Sequence, residues 1–315
     1  VGSNNINLLL PNGQFGTRLH GGDDSASERY IFTQLNPLTR YMFPDVDDAV
    51  LNYLNDDGTI VEPDYYIPII PFALINGISG IGTGFSCNIA PYNPKQIIQC
   101  LQSMLKKESI EQVEFVPYYE GFKGSIRKIE DHKFLIKGLY EKIDTDKIRI
   151  TELPVGTWTM PYTTYLETLV DGIVDNKTGK KGTPQIKDFS SVCTEVNVDI
   201  EVIFPRGKLD QLENSSDSNG INGVEKLLKL HTTLSTTNMH MFDKDCKLHK
   251  YKNVQEILQA FYDVRLETYE KRKQFLLRDM NKKLVKLSNR AKYIQETLAG
   301  TIDLRRMKSD AVNEL

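Results

Sequence analysis

Three stretches of the sequence bring together residue types that could do chemistry. The first is Arg29-Tyr30, which follows the small, polar run Asp24-Ser25-Ala26-Ser27-Glu28. A phenol beside a guanidinium is a latent nucleophile. Phenols ordinarily titrate near ~10 and attack poorly at neutral pH until a base or a cation favours the phenolate. The second is the glycine cluster Gly77, Gly80, Gly82 and Gly84 around Ile81, where missing Cβ atoms let backbone approach a partner closely. The third is Lys229-Leu230-His231-Thr232-Thr233-Leu234-Ser235-Thr236-Thr237-Asn238, a run of hydroxyls with a cation at its head. Each has a plainer reading. Arg-Tyr also fits an aromatic packed at a helix start, and Ile81 fits a core isoleucine in a glycine-rich turn.

Two other chemistries fail on spacing. The glycines read G-x-x-G-x-G-x-G rather than G-x-G-x-x-G, with no acidic residue placed after a clean strand–helix unit, and no G-x-x-x-x-G-K-[ST] loop occurs. Nucleotide binding within this chain is therefore not expected. His240, Cys246 and His249 fit no closed zinc set and read as surface polar groups.

The elements that must position these residues follow from periodicity. Asp24–Glu28 resembles a capped, acidic helix start. Tyr30, Ile31, Phe32, Leu35, Leu38, Tyr41 and Met42 fit a helix that Pro44 ends. Tyr65–Ile75 is apolar but broken by Pro68 and Pro71, which predicts an edge strand or a buried extended segment. A helix is expected from about Pro94 to Lys107. Strands of an antiparallel sheet are expected at 124–127, 133–136 and 148–150, and another over 192–204 with Val196, Val198, Ile200 and Val202 on one face. Residues 214–220 read as a polar loop. Met280, Leu284, Leu287, Ala291, Ile294 and Leu298 step by 4, 3, 4, 3, 4, a heptad seam. A helix from about 253 to 298 should therefore project and pair with a further helix, and Gly300 should stop it.

The chain of 315 residues suits about two domains and has an ordinary globular composition, 40% hydrophobic and 26% charged. No apolar run spans a membrane and no secretory signal is present. A start at Val1-Gly2-Ser3 suggests a fragment, and four scattered cysteines suggest reduced thiols. The net charge of −3 argues against a protein that coats nucleic acid. Its distribution is uneven, however: residues 1–57 hold three Lys/Arg against eight Asp/Glu, and residues 244–315 hold seventeen against ten. Local fields, more than the total, govern a polyanion lying on one face.

A resemblance becomes specific when the motifs are read together. Gly2–Leu9, Gly13-Gln14-Phe15-Gly16-Thr17-Arg18-Leu19, Gly21-Gly22 and Ser25–Thr33 resemble the winged-helix segment of type IIA DNA topoisomerases of the eukaryotic topoisomerase II type. So do Val61–Pro71 and Gly80–Gly84. Glu152-Leu153-Pro154-Val155-Gly156-Thr157-Trp158-Thr159 resembles a motif of that family's tower domain, and the projecting helix resembles its coiled-coil arm. An isoleucine usual in the family is replaced by Asn12 and a proline by Glu28, which suggests a divergent member, viral or protist.

The resemblance implies an α+β chain in three parts: the C-terminal part of a winged-helix domain (1–95), a mixed α/β tower (96–250) and an outgoing coiled-coil arm with the start of the C-gate (251–315). It implies that Tyr30 attacks a DNA phosphodiester to give a 5′-phosphotyrosyl link, with Arg29 stabilising the extra charge of the pentavalent phosphate. Ile81 would wedge between base pairs, Gln14 and Arg18 would touch phosphates, and residues 229–238 would contact the DNA backbone. The implied partners are double-stranded DNA and a second copy of the chain. Mg²⁺ and ATP would be bound by parts of the enzyme outside this chain, so that the segment alone cleaves DNA poorly. A cellular member would work in the nucleus, and one from a large cytoplasmic DNA virus in the host cytoplasm. The competing expectation is a non-catalytic DNA-binding or dimerisation module of the same fold.

Overall fold

The computed structural model describes residues 1–172, 182–304 and Val312. Its contacts divide it into two units, one of Val1–Met42 with Pro68–Tyr262 and one of Phe43–Ile67 with the chain from Asp263 onward. Every strand pair among the described residues is antiparallel, and the largest helix lies at the C-terminal end, so the α+β class holds. No described helix is long and apolar enough to cross a membrane.

In the first unit the expected helix over residues 24–43 is corrected. Glu28–Tyr30 forms one 3₁₀ turn, Phe32–Leu35 is a strand, and only Pro37–Met42 is α-helical. The strand pairs with Leu9–Asn12, placing Leu9 opposite Leu35 and Asn12 opposite Phe32. The local reason is Pro37, which disfavours a helical Asn36 before it and is itself well suited to a first helical position. Asn36 instead caps the helix that follows, its side chain accepting from Leu38 N at 3.0 Å while donating to Asn7 O at 2.9 Å.

Two cores hold this unit. One gathers Leu74, Ile89, Tyr92, Ile97, Cys100, Met104, Phe115, Ile257 and Leu258. Its helix, Pro94–Leu105, has Pro94 at the first position and an Asn93 cap accepting from Lys95 N. Ile97, Cys100 and Met104, spaced 3 and 4, form its buried face. Tyr65–Ile75 forms no strand. It runs irregularly to a single helical turn, Phe72–Ile75, whose Leu74 and Ile75 are buried.

The second core lies under a four-stranded sheet ordered 188–191, 200–203, 147–152, 139–144. Ile148, Ile150, Ile200 and Val202 face the helix Thr159–Asp171, which presents Tyr162, Leu166 and Leu169. Burying each such aliphatic side chain contributes about 1.5–3 kcal/mol. A three-stranded sheet ordered 231–235, 133–137, 125–130 completes the strands expected from the alternating pattern, which thus fall in two sheets. The run over 192–204 is shorter than expected. Only Ile200–Ile203 is a strand, and Val196 is exposed, because hydrogen bonds from Val192 N to Asp199 O and from Thr194 N to Asn197 O reverse the chain there.

The second unit begins with a buried charge pair. Asp47 on the short helix Asp45–Asp48 binds Arg265 Nη2 at 2.7 Å, with both side chains 5% exposed. Arg265 also donates to Ile67 O at 3.1 Å and lies 4.1 Å from the Tyr269 ring centre. The hairpin Tyr53–Asp56/Thr59–Pro63 closes through Asp57-Gly58, both at positive φ, the geometry that a tight two-residue turn demands. The long helix runs Val254–Leu298, 45 residues and about 68 Å at 1.5 Å per residue. It starts at an Asn253 cap and ends before Gly300 at φ +76°. Along its heptad seam Met280, Leu284, Leu287, Ile294 and Leu298 are exposed.

Candidate functional site

The residues singled out from sequence all fall in the first unit. Tyr30 closes the 3₁₀ turn, its N–H bonded to Ser27 O at 2.9 Å, immediately before the strand Phe32–Leu35. The residue is 67% exposed, far from the packed aromatic of the plainer reading. Arg29 is exposed beside it, its guanidinium carbon 5.7 Å from the ring centre. A ladder therefore fixes the backbone while phenol and guanidinium stand in solvent.

The loop before this turn is closed by Asp24, a residue that sequence reading did not assign to the site. Its carboxylate accepts from Thr17 N at 2.8 Å, from the Thr17 hydroxyl, and from Gln14 Nε2 at 3.4 Å. These hydrogen bonds, the Thr17 hydroxyl first, hold the Asp24 carboxyl below its usual range. Ala26 N donates to Gln14 O at 2.9 Å. Gln14 is exposed, as a phosphate contact must be.

Arg18 is not. Its side chain is 7% exposed and ion-paired with Glu152, itself 1% exposed, and it also donates to Leu153 O. The expected phosphate contact is thus a buried internal partner. The available signal was Glu152 itself, an acid at the inward position that Ile148 and Ile150 share on one strand.

Ile81 stands 95% exposed on the hairpin Ile78–Gly82/Phe85–Ile89, opposite Ser86, so the core reading fails. Thr83-Gly84 makes the turn, with Gly84 at φ +81°. A Cβ on Gly82 would collide with the Phe85 ring, so the glycine is required by packing as well as by approach. Asn238 is tied to this hairpin: its side chain donates to Ser86 Oγ at 2.8 Å and its carbonyl accepts from Asn88 N at 2.8 Å.

The run that ends at Asn238 divides by burial. His231–Ser235 is a strand paired with Lys133–Lys137. Thr233, Ser235 and Thr237 are exposed and His231, Thr232, Leu234 and Asn238 partly so. Lys229 is exposed with its Nζ 3.9 Å from the Tyr165 ring centre. Leu230 (1% exposed) and Thr236 (5%) are buried, which corrects their assignment as side-chain contacts for DNA: Leu230 belongs to the second core and Thr236 N bonds His132 O.

No three His, Cys, Asp or Glu side chains come together to hold a metal ion among the described residues. His240 bonds Asn238 Oδ1 and His249 bonds Glu256. What the geometry offers is an accessible phenol with a neighbouring cation, an exposed apolar tip on a hairpin, and an edge of hydroxyls and a lysine joined to that hairpin.

A family model for the DNA gyrase/topoisomerase IV A-subunit matches residues 1–315. The chain is 45% identical to DNA topoisomerase 2 of Arabidopsis thaliana over 320 residues, covering all of this chain and 21% of that protein. It is 42% identical to DNA topoisomerase 2-beta of Mus musculus over 317 residues, covering 19% of it. The chain thus spans about a fifth of the length of these curated relatives. It superposes on the structure of the Plasmodium falciparum topoisomerase II DNA-binding, cleavage and re-ligation domain with a TM-score of 0.86 and 38% identity, covering all of this chain and 41% of that one. The chain belongs to the DNA gyrase/topoisomerase IV A-subunit family.

Proposed function

We propose that this chain is part of the cleavage–rejoining core of a type IIA DNA topoisomerase and that Tyr30 is its nucleophile. The observation that carries the reading is the exposure of Tyr30 beside Arg29 on a backbone fixed by a strand ladder, in a chain so similar to a DNA-binding, cleavage and re-ligation domain. The Tyr30 oxygen forms a bond to phosphorus as the bond to the deoxyribose 3′ oxygen breaks. The phenol loses its proton and the departing 3′ oxygen gains one. The 5′ phosphate remains on the tyrosine, and reversal reseals the strand. Exchanging one phosphodiester for another conserves the bond, so resealing needs no external energy source. Arg29 stabilises the added charge of the pentavalent phosphorus.

Ile81 is the wedge that opens a base step, at a cost of a few kcal/mol offset by wider protein contact. Gln14, Lys229, Thr233, Ser235 and Thr237 are the exposed contacts for the phosphate backbone. Residues 1–95 serve as the nucleophile-bearing part of a winged-helix domain, 96–250 as the tower, and 251–315 as the outgoing arm and the start of the C-gate. Two copies would cut the two strands of one duplex, pass a second duplex and reseal. ATP and Mg²⁺ are assigned to other parts of the enzyme. A cellular enzyme of this kind works in the nucleus and a viral one in the host cytoplasm.

The test is Tyr30→Phe in the whole protein. Covalent protein–DNA adducts should disappear while non-covalent DNA binding stays nearly unchanged. Adducts that persist would assign the nucleophile elsewhere. A wild-type protein that binds DNA and forms none would favour the non-catalytic module.

A further inference from the structure

The stretch Glu152–Trp158 joins the strand Lys147–Glu152 to the helix Thr159–Asp171, and the segment leading to Tyr30 is built onto it. Glu152 is 1% exposed and is held by its own surroundings. It accepts from Leu153 N at 2.9 Å and from Lys123 N at 3.1 Å, and it ion-pairs with Arg18. Arg18 O then accepts from Thr159 N at 3.3 Å and Leu19 O from Met160 N at 2.9 Å. Gly21 lies so close to the indole of Trp158 that a Cβ there would collide with Nε1. From this seat the hydrogen bonds run on without a gap: Gly22 N to Thr17 O, Thr17 to Asp24, Ala26 N to Gln14 O, Tyr30 N to Ser27 O.

A buried ion pair is weak as a source of stability, since desolvating two charges offsets most of their attraction, but its directional bonds fix one geometry. Arg18 is the residue of the loop that reaches inside, and Glu152 is the buried carboxylate that receives it. We propose that Glu152, through Arg18, is a positioning residue for Tyr30: it anchors the loop 17–24 on the Glu152–Trp158 turn, and so fixes where the phenol stands relative to a bound phosphodiester. The proposal rests on Tyr30 being the nucleophile. It adds that the reaction depends on a residue 122 positions away in sequence that touches neither DNA nor the phenol.

The experiment uses the whole protein and compares wild type, Glu152→Gln, Gly21→Ala and Tyr30→Phe. Three quantities are read: affinity for a labelled DNA duplex, the single-turnover rate of covalent adduct formation, and amide hydrogen exchange across residues 14–30. Displacing a reacting group by about 1 Å costs on the order of 10²-fold in rate. Glu152→Gln and Gly21→Ala should lower the adduct rate by about that factor with DNA affinity unchanged, and should speed exchange in the loop. Gly21→Ala alters no buried charge, so it decides the matter if Glu152→Gln fails to fold. An adduct rate and loop exchange that stay at the wild-type values in Glu152→Gln, or in Gly21→Ala where Glu152→Gln does not fold, overturn the proposal. If wild type forms no adducts, the reading of Tyr30 as nucleophile falls. Loop exchange alone then decides whether the anchor exists: faster exchange in the variants upholds it, and unchanged exchange removes it.

Discussion

An isoleucine left 95% exposed between two glycines gains nothing for the folded chain, and the proposed wedge role gives it a use. Ile81→Ala removes apolar groups worth about 0.8 kcal/mol for each buried CH₂. The loss should appear on DNA and not in the protein: thermal stability unchanged within about 0.5 kcal/mol, but reduced bending of an end-labelled duplex by energy transfer. Equal bending would remove the wedge role. At this scale motifs pointed to Tyr30, Arg29 and Ile81, all of which the structure leaves exposed, because residue identity is what chemistry selects. It misplaced Arg18, Leu230 and Thr236, because identity says what a side chain can bind and only packing says which way it turns. An arginine suits a phosphate and a buried glutamate equally well, and the choice here was made by Glu152, 134 residues further on.

Among the elements, helices with a sustained apolar stripe and a clear cap were legible. Pro94–Leu105 and Val254–Leu298 lie close to where their spacing put them. The stretch before Met42 was not legible, since Tyr30, Phe32, Leu35 and Leu38 satisfy a helical spacing about as well as a strand followed by a helix. The partner strand Leu9–Asn12 settles it, through pairing of residues twenty or more positions apart. Val196 fails for a similar reason: alternation continues through a turn that the hydrogen bonds of Thr194 and Val192 have already closed. The helix Thr159–Asp171, which carries the Trp158 turn, depends on its buried face. Leu166→Ala, at a fully buried site, should cost about 2–5 kcal/mol, read as a fall in the denaturation midpoint. A cost below about 0.5 kcal/mol, the range of surface changes, would mean that the helix does not pack as described.

For the molecule as a whole, the second unit is assembled from two segments nearly two hundred residues apart in sequence, and the pair Asp47–Arg265 lies where they meet. Arg272 adds a weaker contact to Asp47 at 3.4 Å. Asp47→Asn leaves buried guanidinium charge uncompensated and should destabilise this unit by about 3–5 kcal/mol, seen as earlier hydrogen exchange in the hairpin Tyr53–Pro63. Unchanged exchange there would show that the pair is not what holds the segments together. Composition hinted at none of this, because charge counts do not show which carboxylate is buried. Trp158 is the single tryptophan of the 315 residues, and it lies against Gly21. Excited on the red side of tyrosine absorption, the chain's emission therefore comes from one indole at the spot where the loop 17–24 rests. Its colour and brightness give a dye-free optical gauge of whether the loop is docked, readable in real time as a duplex is added.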